Sequence, residues 1–261
     1  VEAHFNDNIF GTTTNTKSDL VTKLRPGLRF DSDWNNHQMS FGARLEAGLF
    51  KASSSEDYTD YNLFTSGRLD VLRDTEITGR LEYNAKHQDR SSDDEVGGTA
   101  EPTTFSQSRA RLGFARDVAI VSLAVDAEVN AFDYDDTPNT DGTQTNNDDR
   151  DRQDFLATLR VGYEWTENSE LFTRATLEHR TYDDSEEDGG PNRRNSGLGL
   201  VAGSTFDFGG VTTGELFAGY SAFDYADDRL SATREMMFGG SLLWVGDLWT
   251  FEGSVSRSID E

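Results

Sequence analysis

The chain has 261 residues and a formal net charge of −24 with no basic segment to offset it, so it repels nucleic acid and is expected not to bind it. Hydrophobic residues make up 34%, mean hydropathy is negative, and no run of about 18 apolar residues occurs, which excludes helical membrane spans. Cysteine is absent, which removes disulfide frameworks and thiolate metal sites; 24 glycines, 11% aromatic residues and only 4 prolines suit long strands and tight turns better than a disordered acidic tail.

Taken in chain order, the pattern is one of long alternating strands. Val1–Asn8 reads as a first strand, and Leu20–Asp31 puts Leu20, Thr22, Leu24, Pro26, Leu28 and Phe30 on one face. Gln38–Phe50 carries the clearest signal: Met39, Phe41, Ala43, Leu45, Ala47 and Leu49 share one face, while Gln38, Ser40, Gly42, Arg44, Glu46 and Gly48 share the other. Strands of soluble proteins usually run about 5–6 residues, whereas a tilted strand crossing a bilayer needs about 9–11. Period-two runs follow at Asn62–Val71, Ile77–His87, Ser108–Phe114, Val121–Ala131, Phe155–Trp165, Leu171–Tyr182, Leu198–Phe208, Gly214–Phe223, Met236–Val245 and Trp249–Ser258. With Val1–Asn8 they make thirteen.

The connections alternate in length. Short turns fall at 32–37, 73–75, 116–118, 166–169, 208–211 and 246–247, and long loops at 51–60, 88–104, 133–152, 183–195 and 225–233. Outer-membrane barrels have short periplasmic turns and longer extracellular loops. The expected fold is therefore all-β: an antiparallel up-and-down transmembrane β-barrel over residues 1–261, with 12–13 strands covered. Trp34, Trp165, Trp244 and Trp249 sit beside the short turns, where one aromatic girdle belongs. Tyr134, Tyr182 and Tyr225 close strands at the long-loop rim, either as the opposite girdle or pointing into the lumen. Thirteen is odd, bacterial single-chain barrels are normally even, and no aromatic residue ends the chain, so further strands are expected beyond Glu261.

The wet face of these strands carries charges of both signs: Arg44, Glu46, Arg68, Asp70, Arg80, Glu82, Arg109, Arg111, Asp126, Glu128, Arg160, Arg174, Glu178 and Glu215. They read either as a structural salt-bridge ladder or as the lining of a pore whose selectivity they tune. Arg68, Arg80, Arg109 and Arg111, on three consecutive strands, form a basic strip that could face anionic solutes. In the loops, Asp133, Asp135, Asp136, Asp141, Asp148 and Asp149, with Asn139, Asn146 and Asn147, are candidate oxygen ligands for Ca²⁺. The EF-hand pattern fails at Thr137, and simple solvation is the rival reading. The run Asp183, Asp184, Glu186, Glu187 and Asp188 is similar. Catalysis is not expected: His37 lies in a turn, His87 and His179 fall on the lipid-facing register, and Asp126 with Glu128 is explained by pairing with arginine.

Several segments carry a family likeness: FNDNIFG at Phe5–Gly11, LRPGLRF at Leu24–Phe30, SSEDYTDY at Ser54–Tyr61, GRLDVLRDT at Gly67–Thr75, NNDDRDR at Asn146–Arg152, GELFAGY at Gly214–Tyr220 and SVSRS at Ser254–Ser258. Together they resemble the β-barrel porin family of proteobacterial outer-membrane proteins, over essentially the whole chain. The resemblance implies a porin-like passive channel, an association with exopolysaccharide export, and further strands after SVSRS. It transfers no catalytic or ligand residue. The expected setting is the outer membrane of a Gram-negative bacterium with the long loops extracellular. Expected partners are outer-membrane lipids and lipopolysaccharide, polysaccharide or small solutes, and further copies of the chain. The rival readings are a plugged, structural or surface-interaction barrel with acidic cation- or partner-binding loops, and a soluble β-sandwich or propeller that binds carbohydrate.

Overall fold

The computed structural model describes residues 1–92, 97–183 and 190–257. Its strands are β1 (Glu2–Asn6), β2 (Asp19–Leu24), β3 (Gly27–Asp31), β4 (His37–Phe50), β5 (Tyr58–Leu72), β6 (Thr75–His87), β7 (Thr104–Val118), β8 (Val121–Tyr134), β9 (Thr137–Pro138), β10 (Gln144–Thr145), β11 (Arg152–Thr166), β12 (Ser169–Tyr182), β13 (Asn195–Phe208), β14 (Thr212–Tyr225), β15 (Thr233–Val245) and β16 (Thr250–Arg257). Single 3-10 turns occur at Ser54–Glu56 and Asp148–Arg150. β9 and β10 make a small separate hairpin inside the loop after β8. All other strands join one 14-stranded sheet in which every pairing is antiparallel, in the order β1-β2-β4-β5-β6-β7-β8-β11-β12-β13-β14-β15-β16 with β3 also against β4. Among the described residues, β1 and β16 are each paired on one side only.

β2 and β3 are one strand interrupted. Val21 opposes Phe50, Leu24 opposes Ala47, Gly27 opposes Arg44 and Asp31 opposes Ser40, so no residue is gained or lost across the break. Pro26 has no N–H to give to the ladder, yet its carbonyl still accepts from the Leu45 N–H at 3.0 Å. Counted this way the sheet has the thirteen spans expected from the alternation.

Several strands run further toward the long-loop rim than the apolar alternation indicates. β5 begins at Tyr58 rather than Asn62, β7 at Thr104 rather than Ser108, and β8 continues to Tyr134. Past the greasy band the outer-face positions become Thr59, Ser106 and Asp133. The period-two signal fades there, while the backbone ladder continues. At the other rim the turns are tight. Gly209 and Gly210 both hold positive φ, 69° and 72°, which the tight turn between β13 and β14 requires and side-chain-bearing residues resist.

The two faces are inverted relative to a water-soluble fold. On one, large apolar side chains stand exposed: Leu81 at 58%, Leu112 at 62%, Leu216 at 61%. The other face holds the charged network. A continuous apolar band with nothing packed over it matches the lipid-facing surface of a barrel wall. The four tryptophans lie at the short-turn rim and are exposed. The tyrosines resolve toward the polar face. Tyr134 opposes Phe105, Tyr182 opposes Arg152 and Tyr225 opposes Asn195. Loop arginines cover two of them, Arg150 at 4.1 Å from the Tyr134 ring and Arg193 at 4.7 Å from the Tyr182 ring.

Candidate functional site: the charged face of the sheet

Strand alternation places every candidate lining residue on the same face, and the ladders set their neighbours. Across one level, Ser40 opposes Ser66, Ser66 opposes Arg80, Arg80 opposes Arg111, and Arg111 opposes Glu128. Ion pairs run along strands between residues two apart: Arg68 Nε lies 3.2 Å from Asp70, and Arg80 Nη2 lies 2.8 Å from Glu82. Others cross between strands. Arg109 Nε is 3.3 Å from Glu128, Arg111 Nη2 is 2.8 Å from Asp126, Arg174 Nη2 is 3.9 Å from Glu215, and Arg160 pairs with Glu170. Glu46 gathers three donors: Arg25 Nε at 2.7 Å, Tyr58 OH at 2.8 Å and Lys23 Nζ at 3.5 Å. Glu178, Glu128, Asp154 and Arg180 border a cavity of about 260 Å³. Arg44 stands opposite Gly27 and Asn62 with no ion pair among the described residues. Most of these side chains are partly exposed, so each pair is individually weak; together they make a surface water can enter.

Besides the rim tyrosines, this face carries aromatic rings packed over glycines, which the sequence alternation alone does not reveal. Phe64 lies flat over Gly42, its cross-strand partner; a Cβ there would fall 2.2 Å from Phe64 Cε1. Tyr58 covers Gly48 and Phe223 covers Gly197 in the same way, while Phe172 and Phe217 lie over Gly203 and Gly239 on neighbouring strands. Guanidinium groups stack on the rings: Arg80 at 4.7 Å from the Phe64 centroid and Arg160 at 4.4 Å from that of Phe172. Glycine facing a wet surface is the signal that could have found them. It is readable once the strand register puts an aromatic residue opposite. Arg25, just before Pro26, Arg29 on β3 and Glu170 at the start of β12 also join the network without having been singled out from the sequence.

His87 corrects an expectation. Rather than facing outward, its ring stacks on Tyr58 at 3.6 Å between centroids, with Nδ1 2.9 Å from Asp60 Oδ1. β6 ends at this residue, so alternation no longer fixes its direction. His179 does fall on the apolar face, with Nδ1 2.9 Å from Ser196 Oγ.

The acidic residues offered as Ca²⁺ ligands lie at the end of β8 and in the loop after it. Among the described residues no three His, Asp or Glu side chains converge in a way that could hold a metal ion. Their oxygens serve the loop itself. Asp135 accepts from Thr104 Oγ1 at 2.6 Å, Asp136 from the Asn147 N–H at 3.3 Å, and Asp141 from the Thr143 N–H at 2.9 Å. Asp149 pairs with Arg193 at 3.5 Å, Asp148 opens the second 3-10 turn, and Asp133 lies on β8 opposite Ser106. Asp184, Glu186, Glu187 and Asp188 lie outside the described residues.

Two loop carboxylates respond to pH in opposite ways. Hydrogen bonds from the Arg229 side chain and from the Arg229 and Asn192 backbones hold Asp227 below the usual carboxylate range. Its ionised form stabilises the loop above the ordinary carboxylate pKa, and that contribution is lost as pH falls through the lowered value. Burial pushes Asp151 up, with the charges of Asp133, Asp148 and Asp183 adding to it, against a hydrogen bond from the Tyr134 N–H at 2.6 Å. Ionisation of Asp151 therefore opposes the folded loop, and its favourable contribution fades as pH rises through the raised value. Asp151→Asn, which keeps an oxygen for Tyr134, should abolish the loss of amide protection in this loop as pH rises from the ordinary carboxylate pKa through the raised one. Unchanged pH dependence of the protection factors would show that another group controls it.

No curated protein and no solved structure matches the chain. A family model described as Putative beta-barrel porin 2 matches residues 1–261, the whole chain, and the protein belongs to that family of β-barrels.

Proposed function

We propose that the protein is a passive, porin-like channel of the outer membrane of a Gram-negative bacterium. The polar face lines an aqueous lumen, and the apolar face meets lipid and lipopolysaccharide. The observation that carries this reading is the inversion of the two faces: large apolar side chains exposed on one, ion pairs of both signs on the other. A water-filled passage lined with charges sorts solutes by size and sign without a chemical step. The long, acidic loops belong outside the cell on this reading. Passage of polysaccharide is its more specific form and rests on the sequence resemblance; brief blockades of current by added polysaccharide are its readout.

Insertion into planar bilayers is expected to give discrete, ohmic conductance steps. A folded, membrane-inserted protein that stays silent would instead favour a structural or surface-interaction barrel. One observation speaks for that second reading: the loops after β1, β4 and β6 are tied together by Arg90, which pairs with Glu56, donates to Thr99 and lies 5.7 Å from the Phe10 ring.

A further inference from the structure

Part of the polar face departs from the ladder of alternating charges. A cavity of about 350 Å³ is bordered by Arg29, Arg68, Arg80 and Arg111, from four strands, together with donors such as Ser66 and Thr78. No carboxylate borders it. The acids that neutralise these arginines sit to the side: Asp31, Asp70, Glu76, Glu82 and Asp126. They engage Nε and Nη2, and the Nη1 group of all four arginines has no protein partner among the described residues. Arg80 and Arg111 are direct cross-strand partners, an arrangement of like charges that costs stability. A purely structural ladder would gain by placing an acid at one of these positions, as Arg111 and Glu128 do one strand further on.

The guanidinium groups are also held in place. Phe64, flat over Gly42, carries Arg80 at 4.7 Å and Arg29 at 5.8 Å from its centroid, so two of the four are positioned on an aromatic platform before any ligand arrives. With about half of each side chain exposed, all four remain reachable from water. Planar guanidinium forks match the oxygens of a phosphate or carboxylate.

We propose that this cavity is a binding site for small multivalent oxyanions, placed on the wall of the channel. The proposal rests on the reading of the polar face as a lumen, and it adds the class of solute. An anion here bridges the free Nη1 donors of opposed arginines while their lateral carboxylates stay in place.

The test uses the full chain in planar bilayers in potassium chloride at fixed ionic strength, with inorganic phosphate added. Current is expected to fall saturably with phosphate. Arg80→Gln and Arg111→Gln should each raise the half-blocking concentration about tenfold or more, and Arg111→Lys, which keeps the charge and loses the fork, should fall between. Folding of each variant is checked by its heat-modifiable gel shift. Steps of current indifferent to phosphate would overturn the site and leave the channel standing. Should no current appear, the channel reading fails and calorimetry on the detergent-solubilised protein judges the site: saturable phosphate heat, lost in Arg80→Gln/Arg111→Gln, supports it, and absence of heat in the unmodified chain overturns it.

Discussion

Replacing Glu56 with alanine is expected to release the loops at the long-loop rim. Glu56 is 2% exposed, and its carboxylate meets the Arg90 guanidinium in a fork, Oε2 to Nε at 2.7 Å and Oε1 to Nη2 at 2.9 Å. The pair joins the loop after β4 to the loop after β6, and Arg90 carries the link on to Phe10 in the segment after β1. Removing one partner of a buried ion pair costs about 3–5 kcal/mol, because the remaining charge keeps its desolvation penalty and loses its compensation. At ~1.4 kcal/mol per tenfold change, amide exchange in residues 88–92 and 97–103 should accelerate by about two to four orders of magnitude. The strands, held by their own ladders, should keep their protection. Replacing both partners with leucine should cost less than the single change. A loop that stays protected in Glu56→Ala would remove the latch from the account.

Gly42→Val is the second large effect, and it acts inside the wall. The new Cβ would lie 2.2 Å from Phe64 Cε1 and 2.5 Å from Cζ, distances that no side-chain adjustment at position 42 relieves. The ring must swing away from the sheet, taking with it the surface on which Arg29 and Arg80 stack. Overpacking of this kind costs about 1–3 kcal/mol, read as a lower midpoint in urea unfolding of the detergent-folded protein. Combining it with Phe64→Leu should recover part of the loss, since the two sites are in contact and their effects do not add. An unshifted midpoint in Gly42→Val would mean that the ring has another resting place.

The sheet was legible in the sequence to the extent that physics writes it twice, in the alternation of each strand and in the contrast between short and long connections. Met39–Leu49 shows both, and its two faces stand where the alternation puts them. The ion-pair partners within one strand, such as Arg80 with Glu82, follow from the same period of two. What could not be read was whatever depends on register. Arg80 beside Arg111, or Phe64 over Gly42, requires knowing which residues of successive strands align, and turn geometry sets that rather than composition. Strand ends were lost for a different reason: beyond the apolar band Ser106 and Asp133 hide a ladder that still continues. In the loop after β8 the oxygens of Asp135, Asp136 and Asp141 accept from the loop's own hydroxyl and backbone donors, which the spacing of carboxylates along the chain does not reveal.

The order of the strands has a consequence for how the protein reaches this structure. With β2 and β3 counted as one span and the β9–β10 hairpin as part of its loop, every ladder of the large sheet among the described residues joins spans adjacent along the chain. Among the described residues no ladder of the large sheet therefore waits for distant segments to find each other, and the entropy of closing each of its connections is set by one turn or one loop. The sheet can grow by hairpins, each newly laid strand offering its unpaired N–H and C=O groups as the template for the next. On that route a strand's delay depends on the loop before it, which makes the long-loop rim the slow side of assembly and the tight turns, Gly209–Gly210 among them, its fast side.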